Sequence, residues 1–157
     1  MVANAVRRAE QVRFDDAVAR LYGAVEKIAK IRLRLVYGID NSNVRPEQIP
    51  DEEMRKRLQQ DSGEERLKLP LQKSFELLQS LGDPSGQKFA HAQNEMRKLL
   101  DIRNNSILAH GFEPVQEKTY RRMLDISLSF LDGTEEDLPV FPKMRWEGLG
   151  YDLWWKR

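Results

Sequence analysis

Phe14, Val18, Leu21, Val25 and Ile28 recur at spacings of three and four, and Leu35 follows seven residues further on. An α-helix repeats every 3.6 residues, so this spacing lays an apolar stripe along one side of a helix. Arg13, Asp16, Arg20, Glu26, Lys27 and Lys30 fall on its other faces. The pattern predicts one long helix from Ala5 to about Tyr37. A stripe of that length has to be buried against other elements, and their patterns decide the fold class.

Those elements repeat the same period. After the breakers in "YGIDNSNVRPEQIPD", the charged segment "DEEMRKRLQQDSGEERLK" offers only Met54 and Leu58 as an apolar pair. It reads as a short exposed helix with a loop at "DSGEE". Leu71, Phe75, Leu78 and Leu81 mark a second core helix, ended by Gly82 and Pro84. A third is expected from near Gln87, carrying Phe89, Met96, Leu99, Leu100 and Ile107 as far as Gly111 and Pro114. A fourth, from about Val115 to Leu131, sets Tyr120, Leu124, Leu128 and Leu131 on one side. No useful period-two alternation precedes the tail, so the expectation is an all-α bundle of four main helices and one short one.

With 157 residues the chain is expected to form a single domain over 1–157. Residues 137–157 form a different kind of segment, an aromatic tail with all three tryptophans, Phe141 and Tyr151. Its prolines forbid a helix at its start, and "MRW" and "YDLWW" around "EGLG" could pair as a small hairpin. Basic residues among rings can stack on nucleic-acid bases, but a tail folded back over the bundle is the simpler expectation.

The formal net charge is +1, so any nucleic-acid contact would have to be local. Cysteine is absent and the imidazoles are His91 and His110 alone, so neither disulfides nor a zinc site nor another metal cofactor is expected. The start "MVANAVRRAEQ" has no apolar core and no run approaches membrane-spanning length, which points to a cytoplasmic protein with no membrane association.

One stretch departs from plain helix patterning: "RNNSILAHGFEP", residues 103–114. On an ideal helix, Met96, Leu99, Leu100, Ile107 and His110 all lie within roughly 60° of Arg103, and His110 stands about 10 Å further along the axis. Two polar groups would then sit in the apolar stripe, where an unpaired arginine is costly. Carboxylate partners inside the bundle, escape at its end, or an open cleft or subunit seam would each relieve that cost. Asn104 and Asn105 follow directly, neither good helix formers nor core residues. Polar donors concentrated beside an apolar wall suit an anionic ligand. His91, about 120° away around the same helix, is given no such role.

"RNNSILAHGF" resembles the R-x4-6-H motif of HEPN domains, with six residues between Arg103 and His110. The helix "FDDAVARLYGAVEKIAKIRL" is similar to the first helix of the HEPN region in CRISPR-associated proteins of type III systems. The resemblance runs from about Phe14 to Pro114. It implies a HEPN-like bundle and a metal-independent endoribonuclease, the effector part of an antiviral defence protein. HEPN proteins dimerise so that two motifs meet at one composite site for single-stranded RNA. Carried over, Arg103 and His110 become the catalytic pair and Asn104 the supporting polar residue. In those relatives a CARF sensor domain precedes the HEPN region. No βαβ pattern or glycine-rich nucleotide loop occurs here, so a CARF partner would lie outside this chain.

The residue types agree with that chemistry. RNA carries its own nucleophile, the 2′-hydroxyl. An arginine fork suits the phosphate, and histidine can move a proton near neutral pH. The alternatives are a non-catalytic HEPN-like module for dimerisation or RNA binding, a HEPN toxin held by an antitoxin, and an unrelated helical interaction domain.

Overall fold

The computed structural model describes residues 1–62, 66–106 and 113–140. Among them the chain forms six helices: α1 (Val2–Glu10), α2 (Phe14–Tyr37), α3 (Glu52–Ser62), α4 (Leu71–Ser80), α5 (Pro84–Asn104) and α6 (Glu117–Leu131). Single 3₁₀ turns lie at Pro46–Gln48 and Glu135–Asp137. The all-α expectation holds, with α2, α4, α5 and α6 as the main helices and α3 as the short charged one. Met54 and Leu58 of α3 are buried, as their isolated spacing required.

The first expected helix is in fact two. Residues 11–13 break it, with Val12 at φ +59°, a region that β-branched residues rarely enter. The turn lets α1 fold back and bury Val2 and Ala5 against α2. Asp16, in the first turn of α2, holds the corner together by pairing with Arg8 at 3.0 Å and Arg20 at 2.7 Å. Acidic Asp15 and Asp16 after Arg13 are a helix-start signal that the apolar spacing alone passes over.

Val18, Leu21 and Val25 are almost fully buried, but Leu35 is 79 % exposed and Leu33 is buried in its place. A seven-residue repeat drifts about 20° per step on a straight helix, and Ile28 is already only half-buried. Leu35 therefore falls off the buried face. Leu131 is likewise 48 % exposed, while Tyr120, Leu124 and Leu128 of α6 face the core.

The turn between α4 and α5 is tied from three sides. Asp83 caps α5 by accepting from the Ser85 amide at 2.8 Å, and Pro84 takes the first helical position. That cap starts α5 three residues earlier than the expected Gln87. The same carboxylate accepts from Arg32 Nε at 3.1 Å and Nη2 at 2.5 Å and from the Tyr37 hydroxyl at 3.2 Å. Burial alone would push the Asp83 carboxyl up, but the bonds from Arg32 and Ser85 outweigh it and hold it below the ordinary carboxylate range. Beyond the turn Phe75 stacks on Phe89, centroids 4.4 Å apart, with Phe130 of α6 at 5.1 Å from Phe75. These contacts fix α5 between α4 and α6 and aim its C-terminus at the middle of α2.

An antiparallel bridge between Val44 and Leu67 closes the long connection around α3. The expected loop at "DSGEE" lies partly, and the expected hairpin in the aromatic tail wholly, outside the described residues. No helix among the described residues is long and apolar enough to cross a membrane.

Candidate functional site

Helix α5 ends at Asn104, well short of Pro114. The cause is local. Asn105 Nδ2 donates to the Asp101 carbonyl at 2.9 Å and Ser106 Oγ to the Arg103 carbonyl at 2.7 Å. These side chains satisfy carbonyls at the helix end and replace the bonds a further turn would have supplied. An isolated bridge then joins Ser106 to Glu113. Two residues later, the Val115 amide donates to both Asp15 oxygens at 3.3 Å.

The expected unbroken helix through this stretch is therefore corrected: α5 stops at Asn104. Arg103 occupies the last turn of α5, and His110 lies outside the described residues. The described chain on either side of it is anchored to one helix: Arg103 meets α2 at Tyr22 and Val115 meets it at Asp15, about 10 Å apart along the axis.

Arg103 escapes the desolvation cost by leaving the stripe at its end. Met96 and Leu99 below it are buried, whereas Arg103 is only half-buried. Its guanidinium carbon sits 5.1 Å from the centroid of the Tyr22 ring, and Nη1 donates to Asn104 Oδ1 at 3.0 Å. No carboxylate forms an ion pair with Arg103 among the described residues. Its charge is held by a ring face and a neutral amide, so it remains available to an anion.

Tyr22 was not singled out by the sequence pattern. Glu26 stands one turn along α2 from it. Burial first, then the influence of the Glu26 carboxylate, pushes the phenol up to about 12, so it is neutral at physiological pH. The only available signal was an aromatic ring four residues before Glu26, on the flank of the apolar stripe.

Glu26 also lines a groove of about 380 Å³ that contains Lys27, Lys30 and Lys68. Lys30 stands about 12 Å from Tyr22 along the α2 axis. A chain of net charge +1 thus carries a local basic surface a short way along α2 from Tyr22, together with the Glu26 carboxylate. Among the described residues no three His, Asp or Glu side chains converge in a way that could hold a metal ion. His91 is exposed, its Nδ1 bonded to the Gln87 carbonyl at 2.8 Å.

The model of the Csm6 HEPN domain family matches residues 1–133 of the chain, taking in Arg103, Asn104 and His110. The chain belongs to that family. The Csm6 HEPN match covers all six helices and stops just before the aromatic tail. It places the chain among the HEPN effector domains of type III CRISPR-associated proteins. No curated protein and no solved structure matches the chain at a significant level.

Proposed function

We infer that the protein is a metal-independent endoribonuclease that cuts single-stranded RNA at a site shared by two copies of the chain. It would serve as the effector part of a type III CRISPR-associated antiviral protein. The observation that carries this reading is the state of Arg103. In a Csm6 HEPN domain, the arginine of the R-x4-6-H motif stands half-exposed at a helix end with no carboxylate among the described residues to neutralise it. Such a charge has a use once a phosphate arrives.

In the mechanism, the 2′-hydroxyl attacks the adjacent phosphorus and the 5′-oxygen departs, leaving a 2′,3′-cyclic phosphate and a 5′-hydroxyl. Arg103 stabilises the charge that builds on the phosphoryl oxygens, through a planar fork that matches them. His110 manages protons at the 2′- and 5′-oxygens, a task suited to a group that titrates near neutrality. Asn104 keeps Arg103 in place by accepting its Nη1 hydrogen. Lys27, Lys30 and Lys68 lend attraction for neighbouring phosphates, which makes binding dependent on salt.

The test is incubation of the purified protein with unstructured RNA in excess EDTA, beside an Arg103→Ala sample prepared in parallel. Cleavage leaving cyclic-phosphate and 5′-hydroxyl ends is expected from the wild type only. Dependence on added Mg²⁺ or Mn²⁺, or 5′-phosphate products, would refute it.

A further inference from the structure

We propose that Tyr22 is a positioning residue for the reaction, its ring face serving as the platform that aims the Arg103 guanidinium at the scissile phosphate. The proposal rests on the ribonuclease reading above and adds to it a residue from a different helix.

Arginine has four rotatable side-chain bonds, and one in the last turn of a helix would ordinarily sample many directions. A carboxylate partner would fix it but would also cancel the charge the phosphate needs. The ring at 5.1 Å holds the guanidinium through its electron-rich face, leaving N–H groups in the guanidinium plane free to point outward. Asn104 takes one of those hydrogens, which limits rotation in the plane of the fork. Ring and amide together constrain the fork without neutralising it.

The ring itself is fixed. Tyr22 belongs to α2, the helix that packs against α1, α4, α5 and α6. Its ring is half-buried on that helix. Its high proton affinity keeps the phenol from becoming an anion that would compete with the phosphate for Arg103.

The contribution comes from the face of the ring, and this separates positioning from simple packing. Tyr22→Phe and Tyr22→Trp keep a face; Tyr22→Leu fills similar space without one. Steady-state cleavage of an unstructured RNA by the whole chain should be measured for all three, beside wild type and Arg103→Ala. Melting curves should be recorded for each.

Tyr22→Leu is expected to lower kcat at least tenfold with KM changed less than twofold. Pre-aligned groups act most strongly in the transition state, and this split marks their loss. Tyr22→Phe and Tyr22→Trp should stay within about threefold of wild type. Should Tyr22→Leu lose its cooperative melt, Tyr22→Met provides the same comparison with a more adaptable side chain. Wild-type kcat in a folded Tyr22→Leu or Tyr22→Met variant overturns the proposal. An equal loss in Tyr22→Phe also overturns it, because the hydroxyl would then be the working group. Unchanged cleavage by Arg103→Ala defeats the underlying assignment of Arg103, an outcome separable from either result at Tyr22.

Discussion

Among the described residues Arg103 is tied to the fold by one ring contact and one neutral amide, and this makes its removal informative. A half-exposed cation–ring contact is worth about 0.5–1 kcal/mol. For a chain of this size, each kcal/mol lowers the melting temperature by roughly 2–4 °C. Arg103→Ala should therefore melt within about 4 °C of wild type yet lose cleavage by at least a hundredfold, the usual cost of deleting a charge-stabilising donor. His110→Ala should likewise abolish cleavage. Circular-dichroism melts alongside product analysis by gel check both, and unfolding of either variant would mark a scaffold residue. At this scale the candidate site was half legible. Arginine, asparagine and histidine at these spacings carry their chemistry in their residue types. Tyr22 carries no such mark, because its role depends on which helix crosses it, and helix crossing is not written in local periodicity.

Elements were more legible than their ends. Burial follows apolar spacing, so Phe75, Leu78, Met96, Leu99 and Tyr120 lie in the core as their patterns require. Ends are set by side chains that bond to the backbone, such as Asp83 at the start of α5 and Asn105 and Ser106 after it. The expected run of helix from Arg103 to His110 is cut short at Asn104 for that reason, since seven residues mark two helical turns only while the helix lasts. Close approach is also invisible to hydropathy. Gly86, in the first turn of α5, packs so tightly on α4 that an added Cβ would stand 2.2 Å from the Gln79 nitrogen and 2.7 Å from the Leu78 carbonyl carbon. Backbone cannot step aside as a side-chain tip can. Gly86→Ala should gain helix propensity but separate α4 from α5, with a net loss of about 3 kcal/mol by urea denaturation. A variant as stable as wild type would show that the two helices part without cost.

At the scale of the whole molecule, a strand of RNA presents a row of phosphates to be gripped. One arginine with a neutral amide beside it can grip one phosphoryl group, and Lys27, Lys30 and Lys68 lie in a groove further along α2. A second copy related by a two-fold axis would bring a second Arg103 and His110 to the same groove, a symmetric frame from which one RNA strand must choose a direction. A phosphate in that frame would draw on both protomers, so loss of one arginine should damage the only site. The decisive sample is a mixed dimer of wild type and Arg103→Ala, co-expressed with two different tags and purified through both. If the site is shared, its cleavage rate should fall to about a tenth of wild type or less, since deleting a single donor to developing phosphoryl charge typically costs about a hundredfold. Two independent sites would leave half the rate, because the intact protomer would work unaided. A mixed dimer at half the wild-type rate would refute the shared site even with Arg103 and His110 catalytic, and each chain would then have to complete its own phosphate grip from residues such as Lys27 and Lys30.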